Sequence, residues 1–285
     1  MTQSYKKTMK DTLFFFKSFH FATSLFRNLL IFKFYFVNLL KGKNKTVIHN
    51  DLSFKFYAPN PITMWRYDTF SSKEPETLEW IDKIPNNSTF WDIGANVGMY
   101  SIYAAKKSKC KVWAFEPSVF NLELLARNIF LNKLTKDICI VPLPITYKTG
   151  ENYMRFTSTE WGGALSVFGE SYGWDGKKIR NIFDSNTVGI SMSDAINLFK
   201  IPIPDYIKID VDGIEHLILI GGQDVLKQTK SVLIEVNDAF YEQSKKCKKL
   251  LTKAGLKLSE KRQSELVSKS SGKFIHTFNQ IWVRP

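Results

Sequence analysis

The stretch from Trp91 to Tyr100, W-D-I-G-A-N-V-G-M-Y, places an acid two residues before a glycine turn that opens into a helical run. A turn of this kind after a strand can approach a bound group closely, and ligands of open α/β sheets sit outside the carboxyl ends of the strands. A phosphate is a poor match. The P-loop pattern G-x-x-x-x-G-K-[ST] lacks its Lys here. The dinucleotide pattern G-x-G-x-x-G is also missing, because Gly94 and Gly98 frame Ala95, Asn96 and Val97. Asp92 would repel a pyrophosphate and attract a cation. S-adenosylmethionine carries an ammonium and a sulfonium and no phosphate. Glu116 follows 24 residues after Asp92, at the end of the next strand-like run in Phe115-Glu116-Pro117. An acid there can accept both hydroxyls of a ribose.

The elements that must hold these residues follow from hydropathy. Apolar runs at Phe90–Ile93, Val112–Phe115, Ile138–Val141, Tyr206–Val211 and Val232–Val236 alternate with helical stretches. That alternation predicts a parallel sheet covered by helices on both faces. Gly255–Leu258 and Thr277–Val283 have no comparable helix between them and predict an antiparallel end to the sheet. Upstream, Thr46–Ile48 and Leu52–Phe56 flank Asn50-Asp51 as a hairpin, and Glu74-Pro75-Glu76 opens a helix running to Ile84. Three segments result: a basic extension over 1–45, a cap leading into the sheet over 46–88, and the main domain over 89–285.

Four blocks, D-I-G-A-N-V-G-M-Y-S, F-E-P, I-K-I-D-V-D-G-I-E and L-I-E-V-N, occur in an order that resembles the FkbM family of S-adenosylmethionine-dependent methyltransferases, over roughly residues 74–285. The resemblance implies an α/β class I methyltransferase fold, Rossmann-like, with a seven-stranded, mostly parallel sheet and one antiparallel strand. It also implies O-methylation of sugars, polyketides or related small molecules. Carried over, Asp92, Gly94, Asn96 and Gly98 match the glycine turn, Glu116 the ribose acid, and Asp210 the acid that ends the fourth strand. Where relatives read A-L-S-D, this chain has Pro144-Ile145-Thr146-Tyr147, so a backbone or Thr146 contact is expected to replace the acid facing the adenine. The family's K-I-D-V-E-G becomes Lys208-Ile209-Asp210-Val211-Asp212-Gly213, in which the second carboxylate sits on a shorter side chain.

Methyl transfer to an oxygen needs in-line alignment and a group that takes the hydroxyl proton. Asp210 is the first candidate carboxylate, with binding of the cofactor's amino end as its alternative role. Lys208 shares its parity on a strand buried on both faces, so it must be paired with an acid of the cleft. Glu235, with Asn237, ends the fifth strand and faces either substrate or structure. Asp212 and Glu215 have capping-box spacing, and His216 falls in the helix they would cap. No metal is assigned: a divalent ion on Asp210 or Asp212 is not required, since the EF-hand spacing is absent. The glycine and aromatic stretch Thr159–Trp174, with Trp161, Tyr172 and Trp174, is a candidate platform for a sugar face.

Charge and cysteine usage narrow the partners. Cys110, Cys139 and Cys247 are far apart, without C-x-x-C, which argues against a zinc site or a disulfide framework and points to a reducing, cytoplasmic setting. The 285 residues carry a net charge of +13. Residues 1–45 hold nine Lys or Arg against Asp11, so most of that excess is local. There Lys6, Lys10, Lys17 and Arg27 fall opposite Phe15, Phe19, Phe26 and Leu30, with Lys33 interrupting the apolar side. The pattern reads as an interfacial helix making peripheral contact with the cytoplasmic membrane face, or as a helix packing on its own domain or a second subunit. The leading reading is an O-methyltransferase for a sugar hydroxyl of a glycan or glycolipid precursor. Alternatives are a small-molecule, polyketide-like O-methyltransferase, a tethered binding protein without turnover, and a nucleic-acid methyltransferase. Lys245, Lys246, Lys248, Lys249 and Lys253 prompt the last, but no aromatics are interleaved with them, which argues against nucleic acid.

Overall fold

A computed structural model describes residues 23, 26, 28, 29, 31–33, 43–263, 265, 272 and 274–285. The chain divides into two compact units, Met1–Lys43 and Asn44–Pro285. In the first unit the described residues from Thr23 to Lys33 are helical and exposed. The remaining positions of the interfacial pattern expected over 1–45 lie outside the described residues. Among the described residues no helix is long and apolar enough to cross a membrane.

The second unit opens with a hairpin of β1 (Lys43–His49) and β2 (Leu52–Ala58), joined through Asn50 and Asp51 at φ 46° and 61°. Two left-handed residues in a two-residue loop give the turn whose twist matches the strands. Three short helices follow: α1 (Pro61–Asp68), α2 (Phe70–Lys73) and α3 (Pro75–Asp82). Asn60 starts α1 with a reciprocal capping box to Thr63, which fixes the helix's direction. The main sheet then alternates strand and helix: β3 (Thr89–Ile93), α4 (Met99–Lys107), β4 (Lys111–Phe115), α5 (Val119–Leu131) and β5 (Ile138–Val141). It resumes with α6 (Met192–Phe199), β9 (Tyr206–Ile209), α7 (Glu215–Ile220), α8 (Gln223–Leu226), β10 (Ser231–Asn237), α9 (Tyr241–Lys253), β11 (Lys257–Arg262) and β12 (Thr277–Val283).

These strands form a seven-stranded sheet ordered β11-β12-β10-β9-β3-β4-β5, in which β12 alone runs against its neighbours β10 and β11. This is the class I methyltransferase, Rossmann-like arrangement. The chain order reverses between β3 and β9, and that crevice is where such sheets take their ligands. The interposed β6 (Gly150–Phe156), β7 (Val167–Phe168) and β8 (Phe183–Gly189) make a separate antiparallel sheet ordered β7-β6-β8. The stretch expected as a loop, Thr159–Trp174, therefore lies inside this small sheet and contributes β7.

Alternate strand residues face two cores. Phe90 and Leu233 pack with Phe54, Phe56, Tyr67, Phe70 and Trp80, so the hairpin and α1–α3 share one core with the sheet. Trp91, Ile207, Ile209, Val232 and Ile234 pack on the other face against Ile218, Leu219 and Leu251. The free edge of β2 is closed by Asn128 on α5 and by Asn132, the residue that caps the helix's end. Asn128 Oδ1 accepts from Tyr57 N at 2.8 Å, and Asn132 exchanges bonds with Lys55 N at 3.1 Å and Lys55 O at 2.7 Å. Asn128 Nδ2 also donates to Val97 O at 2.9 Å, just behind the glycine turn.

Asn128 is fully buried, so Asn128→Leu strands Tyr57 N and Val97 O without water. At roughly 1–3 kcal/mol per stranded group, urea unfolding should show a loss of about 2–5 kcal/mol. A loss below about 1 kcal/mol would mean that the hairpin is not held through this side chain.

Candidate active site

The glycine turn is set by how closely β9 crosses it. Gly94 sits at φ 86°, and a Cβ there would lie 1.9 Å from the Asp210 carbonyl oxygen, so only glycine fits. Gly94 N and Ala95 N both donate to Phe115 O at 3.0 Å, and Asn96 N donates to Glu116 Oε2 at 2.7 Å. The turn thus uses its amides inside the protein, which suits a ligand without phosphate. Glu116 Oε1 accepts from Ser118 N at 2.8 Å. Each Glu116 oxygen retains a lone pair for a hydroxyl. Burial, offset in part by the Ser118 and Asn96 amides, pushes the Glu116 carboxyl up to about 7.

Beside the turn lies a cavity of about 310 Å³. Trp65, Arg66, Lys73, Glu74 and Glu76 reach it from α1, α2 and the start of α3, and Tyr100 from α4. Lys208, Asp210, Asp212 and Glu235 come from β9, the turn after it, and β10, while Gln263, Phe274, Thr277 and Asn279 close the far side. Lys208 is 1% exposed, donates to Asp210 Oδ2 at 2.9 Å and lies 5.1 Å from the Tyr100 ring centroid. Burial works against its charge, but Asp210, Asp92 and Glu74 outweigh that and hold its pKa above the usual value. Burial would likewise raise Glu74, yet the Lys73 and Lys208 charges hold its carboxyl at about 2. Glu235 is pushed well above the carboxylate range by burial and by Asp210, Glu74 and Asp212. Burial and the Asp210 charge lift Asp212 to about 6.

A second, apolar cavity of about 30 Å³ lies among Phe115, Pro117, Leu143, Pro144, Ile145 and Ile214, and Gly94 lines both cavities. Leu165 faces the larger cavity and Ser166 the smaller. The segment before them is held by Gly162 N donating to Asn121 Oδ1 at 3.0 Å, Asn96 Nδ2 to Gly163 O at 2.9 Å, and Leu165 N to Asp212 Oδ2 at 2.6 Å.

Of the residues singled out in the sequence, Gly94, Asn96, Lys208, Asp210 and Glu235 line the large cavity, and Lys208 has its acid partner in Asp210. Gly98 precedes α4 as its N-cap. Asp92 points inward: it is 1% exposed, accepts from Ser101 Oγ at 2.6 Å through Oδ2, and leaves Oδ1 without a partner among the described residues. Thr146 reaches neither cavity, because its amide donates to Ile190 O at 2.9 Å and pins the segment to the edge of the small sheet. Asp212 does not cap its helix either. At φ 64° its carboxylate turns away to Leu165 N, while Glu215 reaches back to Val211 N at 3.2 Å and Gly213 N at 3.1 Å. His216 lies in α7, buried, with its pKa lowered to about 4 by burial. Asn237 is structural, donating to Trp174 O at 3.2 Å.

The aromatic stretch is also placed differently. Tyr172 packs edge-on against Phe240 at 5.5 Å and Trp174 against Phe274 at 4.5 Å, so the aromatic rings at the cavity are Trp65, Tyr100 and Phe274 instead. Glu74, Arg66 and Tyr100 were not singled out in the sequence. Glu74-Pro75-Glu76 reads as an ordinary acidic helix start, and the signal that separates it is the burial of both acids, at 3% and 2% exposure. Among the described residues no group of three His, Cys, Asp or Glu side chains is arranged to hold a metal.

The charges predict how the site responds to losing its buried cation. Lys208→Met leaves Asp92, Asp210 and Glu74 without their shared counter-ion. Unfolding measurements at pH 8 should show a loss of about 3–5 kcal/mol, the usual cost of stranding a buried charge. Without Lys208 the folded-state pKa of Asp92 rises further and that of Glu74 loses part of its depression, so the penalty grows as pH rises past the carboxylate range and shrinks toward pH 5. A loss that is the same at both pH values would show that packing, not charge, is what Lys208 supplies.

The description methyltransferase FkbM domain matches residues 92–262. The hexuronic acid methyltransferase AglP of Haloferax volcanii is 23% identical over 71% of this chain and 77% of its own. The methyltransferase sdnD of Sordaria araneosa is 40% identical over a shorter region, 24% of this chain and 30% of its own. Among solved structures, M. jannaschii TYW2 in complex with AdoMet is similar at 17% identity and a TM-score of 0.44, over 86% of this chain and 88% of that one. Because the domain match spans more than half of the 285 residues and includes the glycine turn, Glu116, Asp210 and Glu235, the chain belongs to the FkbM-domain family of methyltransferases.

Proposed function

We propose that this methyltransferase uses S-adenosylmethionine to methylate a sugar hydroxyl of a glycan or glycolipid precursor. The observation that carries the reading is the carboxylate-rich cavity of about 310 Å³ at the crevice between β3 and β9, next to a turn whose amides are used internally. The residues suit the cofactor. Glu116 keeps lone pairs for the ribose hydroxyls, and the apolar side chains around Pro117 and Ile145 are of the kind that pack against an adenine, although the cavity they line would have to widen to admit one. Asp210 and Glu235 line the wall that a sulfonium and an ammonium would face. The cofactor, when bound, supplies an electrophilic methyl group. Tyr100 adds a hydroxyl with no partner of its own among the described residues.

The chain's own part is alignment and proton handling. Asp210, oriented by Lys208 at 2.9 Å, is the candidate to take the proton of the acceptor hydroxyl. Lys208 is then a positioning residue. Glu235, raised by burial and by neighbouring acids, would ionise more readily beside the positive charge of the cofactor. The resemblance to a relative named for hexuronic acid supports a sugar acceptor over a polyketide-like one. No comparable observation favours nucleic acid: Lys245, Lys246, Lys248, Lys249 and Lys253 lie on the exposed side of α9, with Lys246 salt-bridged to Glu242 at 2.6 Å.

Two measurements test this reading. Calorimetry should show S-adenosylmethionine binding that strengthens as pH rises through about 7, where Glu116 loses its proton and accepts from the ribose. In Glu116→Gln that pH dependence should vanish and affinity fall by about 1.5–3 kcal/mol. Asp210→Asn should lower turnover on an accepted sugar by roughly 10²–10⁴ with a much smaller change in cofactor affinity. Full activity in Asp210→Asn would remove it from proton transfer, and unchanged binding in Glu116→Gln would remove it from the ribose.

A further inference from the structure

Three cations line the large cavity, and they are not equivalent. Lys73 is paired with Glu74 and Lys208 with Asp210. Arg66 has no carboxylate within ion-pair distance among the described residues, although five carboxylates line the same cavity. Its Nε donates to Gly162 O at 2.8 Å, and no hydrogen bond to a described residue engages either of its terminal amino groups. One edge of the guanidinium is therefore fixed and the other is left for a ligand. A guanidinium presents a planar fork matched to two oxygens of one anion.

The mounting is rigid. Arg66 sits on α1, whose start is locked by the Asn60 and Thr63 capping box. Asn60 Nδ2 also donates to Trp161 O at 3.0 Å and Glu160 Oε2 at 3.1 Å, which ties the helix to the loop that holds the Arg66 Nε. Trp65, the neighbouring residue on α1, lines the same cavity and is 48% exposed, an uncovered ring at its rim. An aromatic face beside a free guanidinium edge matches a pyranose ring bearing an oxyanion.

We infer that Arg66 and Trp65 form the subsite for a negatively charged sugar, with Arg66 holding a carboxylate on the acceptor and Trp65 covering its ring. This rests on the reading of the cavity as a sugar methyltransferase site. A carboxylate is favoured over a phosphate by charge: a single unpaired cation among five carboxylates balances one negative charge and not two. The remaining acids of the cavity stay directed at the reacting hydroxyl and the cofactor.

The test uses binding, which does not depend on turnover. Full-length protein saturated with S-adenosylhomocysteine is titrated with methyl β-D-glucuronide, methyl β-D-glucoside and glucose 1-phosphate, read by ligand-observed NMR. The wild type should prefer the glucuronide over the glucoside by about tenfold or more, and Arg66→Met should abolish that preference. Arg66→Lys, which keeps the charge but not the fork, should retain part of it. Melting curves check that both variants fold. Equal binding of the glucuronide and glucoside by the wild type overturns the subsite, and so does an unchanged preference in Arg66→Met. A stronger preference for the phosphate overturns the carboxylate assignment. A drop in S-adenosylmethionine affinity in Arg66→Met, comparable to the drop for the glucuronide, assigns the guanidinium to the cofactor's carboxylate instead. Arg66-dependent glucuronide binding without any methylation of a sugar would leave the subsite standing and refute sugar methylation.

Discussion

One buried ammonium organises this site. Lys208 stands in the middle of β9 between Ile207 and Ile209, both fully buried, so its parity sends it to the face of the sheet where Asp92 is its register neighbour on β3. A lysine there is almost fully enclosed, and its charge is tolerated because Asp210, Asp92 and Glu74 surround it. Two acids nearby respond to it directly. Glu74 stays ionised at a buried position because two lysines face it, whereas Asp92, almost fully enclosed with one oxygen unpartnered, is raised by burial although the Lys208 ammonium works against that rise. Glu235 and Asp212, which form no lysine salt bridge, are shifted upward as well.

The same residue links the two halves of the architecture. Asp210, its partner, lies at the end of β9, where its carbonyl crosses so close to Gly94 that no side chain fits between them. Glu74 comes from the helical lead-in, which shares a core with the sheet through Phe54, Phe70 and Trp80. The lead-in and the sheet therefore meet twice, once in apolar packing and once across the cavity through Lys208. The residues between the hairpin and β3 are as much a part of the site as the glycine turn.

Much of this was legible in the sequence because it rests on residues that can play few other roles. Short apolar runs such as Val232–Ile234, rich in β-branched residues, read as strands covered on both faces, and a Lys among them, as in Ile207-Lys208-Ile209, must find an acid. The small sheet was not legible. Gly150–Phe156 and Phe183–Gly189 alternate weakly and expose most of their residues, so they lack the period-two signal of a half-buried strand. Asp212 was misplaced for a related reason: its spacing to Glu215 fits a capping box, and only its left-handed backbone sends the carboxylate to Leu165 instead. Thr146 was expected at the adenine, but the bridge of Ile145 to Ile190 binds that segment to the small sheet, which the sequence had concealed.

The balance of charge also explains why the two ends of the cavity differ. Near β9 and β10 the acids outnumber the cations and Glu235 and Asp212 are shifted upward, so a cation arriving there would favour their ionised forms. Lys73 opposes the upward shift of Glu235 but is outweighed by burial and three acids, and a positive ligand would act in the same direction as Lys73. At the rim the relation is inverted: Arg66 is unmatched and Trp65 is bare. A cavity with an acidic floor and a basic, aromatic rim separates two ligands of opposite sign along its length. It thereby orients them toward each other before any bond is made.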